Sequence, residues 1–223
     1  MARNLPKTVR GGLFLSLEGG EGSGKSTLLG RLRDFLEHEG YDVLITREPG
    51  GPPIAEAVRG ILLDPGNTAM DALTELFLYL ASRRQNLVER ILPQLAKGGV
   101  VISDRFADAS VAYQGGGRGL GLARVDRLNR EAIGEHVPQL TFFLDVDPAQ
   151  GLERGPGVTA VDRSGGDRIE RETLEFHERV RRSYREWAAL HPERIKVIDA
   201  SLPPEAVAAA ALNALSRLLA ATD

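Results

Sequence analysis

The sequence predicts a three-layer α/β fold, in which helices cover both faces of a doubly wound, five-stranded parallel sheet. Short apolar runs alternate along the chain with longer segments of helical periodicity. The apolar runs are nearly continuous, as expected of parallel strands that are buried on both faces. The chain has 223 residues, which suits one large domain whose core needs no disulfide.

Five short runs rich in Leu, Val, Ile and Phe are predicted to form the strands. They are too short for helices, and turn-forming or charged residues separate them from their neighbours. They cover residues 13–17, 43–45, 100–102, 142–144 and 195–198.

The helices are predicted from apolar residues spaced three and four positions apart. The first such stripe covers residues 28–36 and ends before Gly40, and the second covers residues 54–62. Longer patterns predict helices around residues 71–97, 122–135, 168–189 and 204–220. Pro93 should kink or break the first of these, because proline lacks the N–H that a helix interior needs.

Two segments lack this regular pattern. Residues 1–12 are basic and precede an apolar run too short for a signal peptide, so we predict a flexible N-terminal arm ahead of a single domain over residues 13–223. The segment from about 153 to 168 is rich in glycine and arginine and has no apolar periodicity. We predict that it forms a mobile lid.

The composition excludes several classes of protein. The chain has no cysteine, which rules out a disulfide scaffold, a cysteine nucleophile and an iron–sulfur cluster. Its 28 basic and 31 acidic residues give no sign of the basic face of a nucleic-acid binder. No apolar stretch approaches the ~20 residues that cross a bilayer. We therefore expect a soluble, cytoplasmic protein with neither nucleic acid nor membrane as partner.

Residues 19–26 read GGEGSGKS and match the phosphate-binding P-loop pattern G-x-x-x-x-G-K-[ST]. A predicted strand precedes them and a predicted helix follows, so backbone N–H groups can converge on phosphate; the alternative is a plain glycine-rich turn. Lys25 should reach the β- and γ-phosphates, and the Ser26 hydroxyl should ligate Mg²⁺. The residues expected to bind ATP are Gly19, Gly20, Glu21, Gly22, Ser23, Gly24, Lys25, Ser26 and Thr27.

Arg47 and Arg105 each follow a predicted strand and should point into the crevice beside this loop. A nucleoside monophosphate is a good nucleophile, since its second pKa is near ~6, but it must approach an anionic triphosphate. Two guanidinium groups would neutralise and orient it. Either arginine alone could be an ordinary surface residue. The chain has no Asn-Lys-x-Asp motif of a GTPase and is short for a motor or helicase, so a small phosphotransferase is favoured.

Three stretches make the chain resemble the thymidylate kinase family, which uses ATP to phosphorylate dTMP to dTDP. They are EGGEGSGKS at residues 18–26, TREPGG at 46–51, and SDRF at 103–106 with AYQGGGRG at 112–119. The last two are the more specific, because other nucleoside monophosphate kinases lack them. The resemblance runs from Leu13 to the C-terminus and implies the P-loop fold of nucleoside monophosphate kinases.

The resemblance implies a role for each residue at the phosphate end of the site. Arg47 and Arg105 would hold the phosphate of dTMP. Asp104 would lie beside the metal ion that Ser26 ligates. Glu21 would meet the sugar 3′-hydroxyl or one of the phosphate-binding arginines.

Tyr79 and Arg83 are one helical turn apart and share a helix face. The resemblance implies that the aromatic stacks on thymine and that the arginine binds its O4 carbonyl. The family aromatic is often Phe, so Phe77 is an alternative stacking residue, and ordinary core packing is the alternative for both.

Three further residues complete the expected dTMP site. By resemblance, Ser110 would hydrogen-bond the base edge, and Tyr113 would press on C2′ of the sugar and exclude ribonucleotides. Gln114 would complete the wall.

The lid is expected to supply catalytic charge. Loop positions 20–23 contain no cation, yet the transferring phosphoryl group needs one. The chain thus resembles the bacterial-type subgroup with arginines in the lid. Arg168 and then Arg163 are the favoured catalytic residues, with Arg154 as a further candidate.

The sequence therefore predicts a dTMP kinase of dTTP biosynthesis that uses ATP and Mg²⁺. The resemblance also suggests a homodimer formed through helices such as residues 71–90. The alternatives are a kinase for another pyrimidine nucleotide or for a deoxynucleoside, and a P-loop ATPase switch. A nucleoside acceptor would need a general base and would have less use for paired arginines.

Overall fold

The computed structural model describes residues 6–154 and 166–222. Its single sheet has five parallel strands in the order β2-β3-β1-β4-β5. The strands are β1 (Leu13–Gly19), β2 (Val43–Arg47), β3 (Val100–Asp104), β4 (Leu140–Asp145) and β5 (Ile195–Asp199). The predicted fold class and all five predicted strands are confirmed.

Helices connect the strands and cover both faces of the sheet. They are α1 (Lys25–His38), α2 (Pro53–Leu63), α3 (Ala72–Asn86), α4 (Leu92–Ala96), α5 (Ala107–Ser110), α6 (Leu122–Ile133), α7 (Pro148–Arg154), α8 (Leu174–Leu190) and α9 (Pro204–Thr222). Two π-helical segments, Leu87–Ile91 and Val111–Gly117, follow α3 and α5. The second segment and α7 were not predicted from the sequence.

The long helix predicted over residues 71–97 is divided. The Asp71 side chain caps α3 by accepting from the N–H groups of Leu73 and Thr74. The break predicted at Pro93 occurs one turn earlier, as the π-helical segment, and Pro93 lies in the first turn of α4. Proline is tolerated there because the first N–H groups of a helix have no intrahelical partner.

The predicted start of a helix at residue 168 is wrong. The Asp167 carboxylate accepts from the backbone N–H groups of Ile169 and Glu170, which folds this stretch into a turn. Helix α8 begins only at Leu174, where the Thr173 hydroxyl caps it.

The prediction of a flexible arm is wrong for residues 7–12. The N–H of Lys7 donates to the carbonyl of Gly40 at 2.9 Å, and the N–H of Val9 donates to that of Gly98 at 2.9 Å. The Val9 side chain is buried in the core. Backbone pairing and one apolar side chain are enough to hold this segment against the domain. Most of the predicted lid, including Arg163, lies outside the described residues.

The core has one apolar layer on each face of the sheet. Leu13, Leu15 and Leu17 of β1 pack with α1 and α9 on one face, whereas Phe14 lies in a cluster on the other. Strand β1 is central, so the loop that follows it opens at the carboxyl ends of the sheet, between β3 and β4. Among the described helices, none is both long enough and apolar enough to cross a bilayer.

Candidate active site

A crevice of about 490 Å³ lies at the carboxyl ends of the strands, a volume that suits a nucleotide ligand. Most of the residues predicted from the sequence line it: Glu21, Gly22, Ser23, Gly24, Lys25, Ser26, Thr27, Arg47, Tyr79, Arg83, Asp104, Arg105, Ser110, Tyr113 and Gln114. Gly19 and Gly20 lie outside this lining, although Gly20 borders a small adjoining cleft.

The phosphate loop needs glycine at Gly22 for two reasons. Its φ of 62° lies in the left-handed region, which a side chain rarely adopts. A Cβ there would also overlap the carbonyl oxygen of Gly151 in α7. The loop ends where Lys25 begins α1, so the first N–H groups of that helix face the crevice.

Lys25 is held by the loop itself. Its Nζ donates to the carbonyl of Gly20 at 2.7 Å and to that of Gly19 at 3.3 Å. Burial and the nearby Arg105 lower the pKa of Lys25 to about 8, against the pull of surrounding carboxylates. Phosphate oxygens would restore the charged form, so this lysine is suited to a polyanionic ligand.

Arg105 has a strained backbone and a fixed side chain. Its φ of 69° is left-handed for a residue with a Cβ, a conformation that costs about 1–3 kcal/mol. Its Nη1 donates to the carbonyl of Gly19 at 2.8 Å, and its guanidinium lies 5.0 Å from the centre of the Tyr113 ring. The side chain thus connects the phosphate loop to the far wall of the crevice.

Arg47 and Arg59 bring positive charge to the rim. The Arg47 side chain is 55% exposed, and its Nη2 donates to both carboxylate oxygens of Glu56 at 3.1 Å. Arg59 lines the crevice and donates to the carbonyl of Pro49 at 2.8 Å. The sequence reasoning missed Arg59. Its place one helical turn after Glu56, in the helix that follows the TREPGG stretch, is the signal that could have found it.

Arg83 is 1% exposed at the inner end of the crevice. Its Nε donates to Glu48 at 2.7 Å and its Nη1 to Asn129 at 2.6 Å. Its Nη2 donates to the carbonyl of Phe106 and to the Ser110 hydroxyl. Four of its five N–H groups therefore have partners among the described residues, and one on Nη1 is left for a ligand. Glu48, which holds it, was not predicted.

Tyr79 and not Phe77 faces the crevice. Tyr79 is part of the lining, and burial raises the pKa of its hydroxyl well above the ordinary value. Phe77 is 52% exposed on the outer surface of α3. Tyr113 and Gln114 are both buried and also line the crevice.

Asp104 and Ser26 could hold a divalent cation. The Oδ1 of Asp104 is buried without a hydrogen-bond partner in the described part of the chain, which suits a cation opposite it. Both residues line the crevice. Within residues 6–154 and 166–222, no group of three or more His or acidic side chains could hold a metal alone. Phosphate and water oxygens would therefore complete the coordination, as is usual for Mg²⁺.

Two of the three candidate lid arginines, Arg154 and Arg168, are among the described residues, and they lie in different places. Arg168 is buried away from the crevice; its Nη1 pairs with Glu75 at 2.6 Å and its Nε donates to the carbonyl of Leu62. This placement does not support the catalytic role predicted for Arg168, because its side chain does not line the crevice and is held by Glu75 and the carbonyl of Leu62. Arg154 lines the crevice next to Gly22 and donates to the carbonyl of Ala200 at 2.8 Å. Arg163 lies outside the described residues.

Acidic residues are the main group that the sequence reasoning missed. Asp167 and Glu170 line the crevice from the turn before α8. Glu18 and Glu75 are fully buried behind it. Their long-range partners, which explain their burial, leave no local pattern in the sequence.

The crevice has cationic groups on two sides, with the loop for a triphosphate on one and arginines for a second anion on the other. A phosphotransferase that joins two phosphorylated compounds needs this division. The fold and the site together define a P-loop kinase.

Comparison with known proteins gives the family. A family model described as thymidylate kinase matches residues 17–211. The chain is 50% identical over 192 residues to the thymidylate kinase of Geobacillus thermodenitrificans, which covers 86% of this chain and 84% of that protein. It is 48% identical over 200 residues to the thymidylate kinase of Lactobacillus delbrueckii subsp. bulgaricus, with 89% and 93% covered.

A solved structure agrees with these relatives. The crystal structure of thymidylate kinase from Ehrlichia chaffeensis matches with a TM-score of 0.73 and 32% identity, over 92% of this chain and 98% of that one. The chain belongs to the thymidylate kinase family.

Proposed function

We propose that this protein transfers the γ-phosphate of ATP to dTMP, giving dTDP and ADP on the route to dTTP. The observation that carries this proposal is that Lys25, Arg105 and Arg83 all line one crevice. We assign them to its triphosphate, acceptor-phosphate and base ends respectively. Membership of the thymidylate kinase family supports the same substrates.

The transfer needs positioning more than proton removal. An oxygen of the dTMP phosphate attacks the γ-phosphorus, and the bond from that phosphorus to the β,γ-bridging oxygen breaks as ADP leaves. Because the acceptor phosphate is already ionised near neutral pH, no general base is required. Lys25 binds the β- and γ-phosphates, while Arg105, Arg47 and Arg59 hold the acceptor in line.

The inner crevice would select the nucleoside. The N–H of Arg83 that has no partner among residues 6–154 and 166–222 donates to the O4 carbonyl of thymine, and Tyr79 stacks on the ring. Tyr113 borders the sugar and excludes a 2′-hydroxyl. Glu21, which lines the loop side, meets the 3′-hydroxyl or an arginine.

Ser26 and Asp104 would hold the Mg²⁺ ion, which neutralises charge on the β- and γ-phosphates when bound. Arg154 takes the role of lid arginine in place of Arg168, since it is beside the phosphate loop while Arg168 is paired with Glu75. From there its guanidinium can approach the transferring phosphoryl group once it leaves the carbonyl of Ala200.

We further propose that two copies form a homodimer and act in the cytoplasm. Helices α2 and α3 and the π-helical segment after them expose Ile54, Ile61, Phe77 and Val88. We propose that these four side chains lie in the surface that a second copy covers.

An ADP-release assay with ATP and Mg²⁺ tests the proposed activity. It compares dTMP, dUMP, UMP, CMP and AMP with a control without acceptor. We expect release to be fastest with dTMP and negligible in the control. Equal release in all samples, the control included, would identify an ATPase and overturn the proposal.

A further inference from the structure

A buried carboxylate, Glu75, lies behind Tyr79 and Gln114, which both line the crevice. It is fully buried in α3, one helical turn before Tyr79. The proposed function gives it no role. Isolated buried carboxylates are costly, so the contacts that hold this one indicate its purpose.

Glu75 is bound by three side chains: Gln114 and Arg118, which lie four residues apart, and Arg168 from a distant part of the chain. The Nε2 of Gln114 donates to its Oε1 at 2.8 Å. Arg118 donates to its carboxylate through Nε and Nη2 at 3.0–3.2 Å. The Nη1 of Arg168 pairs with its Oε2 at 2.6 Å. One amide and two guanidinium groups thus converge on a single carboxylate.

The two arginines keep this carboxylate ionised. Burial by itself would raise the pKa of Glu75, but the hydrogen bonds and charge of Arg118, with the charge of Arg168, hold the pKa below its ordinary value. An ionised carboxylate has no proton to donate and can only accept.

Because Glu75 can only accept hydrogen bonds, it fixes the orientation of the Gln114 amide. Only its NH₂ group can face Glu75, so its carbonyl Oε1 is on the branch turned away from Glu75. The Gln114 side chain lines the crevice. An amide without a charged neighbour could turn over and present either group to a ligand.

We propose that Glu75 is a positioning residue that makes Gln114 present a hydrogen-bond acceptor to the acceptor base. The inference rests on the proposed function, in which a pyrimidine nucleotide occupies this end of the crevice. Thymine and uracil carry an N3–H donor that such an acceptor would bind, whereas N3 of cytosine is itself an acceptor. Arg83 is a hydrogen-bond donor, so it favours a base with a carbonyl at C4 over a base with an amino group at C4.

Glu75→Gln tests the proposal, because a glutamine offers both a donor and an acceptor and so releases the constraint on Gln114. The measurement is kcat/KM for dTMP, dUMP and dCMP at pH 8. We expect the preference for dTMP over dCMP to fall roughly tenfold or more, mostly through KM for the acceptor, while KM for ATP stays unchanged. An unchanged preference in a folded variant would overturn the proposal.

Arg118→Met is the matched control. It removes one partner of Glu75 but leaves Gln114 and Arg168 bound to it. We expect a lower midpoint of thermal unfolding with the wild-type preference for dTMP over dCMP. Equal loss of preference in both variants would mean that the cluster acts only through packing, and would also overturn the proposal.

Failure of the proposed function and misfolding of the variant can each be distinguished from failure of the role proposed for Glu75. If the wild-type protein prefers dCMP or transfers phosphate to no pyrimidine nucleotide, the proposed function fails before any variant is compared. If Glu75→Gln does not fold, a crystal structure of the wild-type protein with dTMP decides. We expect the Gln114 amide within hydrogen-bonding distance of N3 of thymine, and a Gln114 that contacts no base atom would refute its role.

Discussion

Glu18 is buried beneath the phosphate loop, and three hydrogen-bond donors contact its carboxylate. The N–H of Phe106 and the hydroxyl of Ser16 donate to Oε1, and the hydroxyl of Tyr184 donates to Oε2. Burial and the nearby charge of Asp108 raise the pKa of Glu18 to about 7, although Arg105 opposes them. Phe106, which follows the strained Arg105, is thus bound by the Glu18 carboxylate, whose pKa is near neutrality.

The stability of the protein should fall as pH rises through this range. The pKa of Glu18 is near 4.5 in the unfolded chain and about 7 in the folded one, so the folded state holds the extra proton between these values. The free energy of unfolding should therefore decrease from pH 5 to pH 8, with this residue contributing on the order of 3 kcal/mol. Urea unfolding at both pH values checks this, with Glu18→Gln as comparison. The same change in both proteins would show that Glu18 does not titrate here.

Lys25 should take up a proton when ATP binds. With its pKa lowered to about 8, it is about half protonated at pH 8, and phosphate oxygens favour the charged form. The phosphates of ATP are already ionised at this pH, since their last pKa is near ~6. Calorimetric titration in two buffers of different ionisation enthalpy measures the uptake. Lys25→Arg, which stays charged, should show none from this position. No uptake by the wild-type protein would contradict the lowered pKa.

The residue scale also shows why only part of the site could be predicted from the sequence. Lys25, Arg47 and Arg105 belong to local motifs, and local motifs can be found in one sequence. The partners of Arg168 and Glu75 are far apart in the chain and meet only after the sheet has formed. The predicted role of Arg168 depended on the DRIE stretch alone, and no pattern there indicates a buried ion pair with α3.

At the scale of the elements, the phosphate loop and α7 meet at a point where neither has a side chain. A Cβ on Gly22 would overlap the carbonyl of Gly151, and a Cβ on Gly151 would overlap the carbonyl of Glu21. Two backbones thus touch directly, which only glycine permits.

Gly22→Ala should disturb this contact. We expect at least a tenfold loss of ATP affinity and a lower free energy of unfolding, because the loop must move away from α7 and adopt a strained φ. Gly30→Ala is the matched control, since it lies within α1, where a Cβ meets no atom. It should keep ATP affinity and raise the free energy of unfolding by up to about 1 kcal/mol. ATP titration and urea unfolding give both quantities. Normal ATP affinity in Gly22→Ala would contradict the steric argument.

The elements differ in how well the sequence predicts them. All five strands are predicted, although each is longer in the structure than its apolar run. The central strands β1, β3 and β4 leave a continuous apolar run because they are buried on both faces. Helix ends are predicted less well where a polar side chain decides them. Asp167 closes a turn and Thr173 caps α8, so the helix starts several residues later than its apolar pattern suggests. The π-helical segments depend on packing against neighbouring helices and have no local signal.

At the scale of the whole molecule, the proposed dimer depends on one apolar surface. Ile54 of α2 and Phe77 of α3 are 61% and 52% exposed, and these two helices pack against each other. Helices α2 and α3 also carry Arg59, Tyr79 and Arg83, so the same two elements would form both the interface and the acceptor site.

Phe77→Glu should convert the dimer to a monomer, because a charge would be buried without a partner. Sedimentation velocity at micromolar concentration measures this. Leu190→Glu is the control, since Leu190 is 62% exposed on α8, outside the proposed interface. It should remain dimeric. A monomeric wild-type protein, or a dimer that only Leu190→Glu disrupts, would show that this surface is not the interface.

The contact between Gly22 and Gly151 has a mechanical consequence. Because the two backbones touch with no flexible side chain between them, a movement of the loop toward Gly151 displaces α7 as well. Helix α7 ends at Arg154, which borders the crevice. In the proposed mechanism, in which Arg154 contacts the transferring phosphoryl group, binding of the donor nucleotide would therefore also shift the arginine that acts on it.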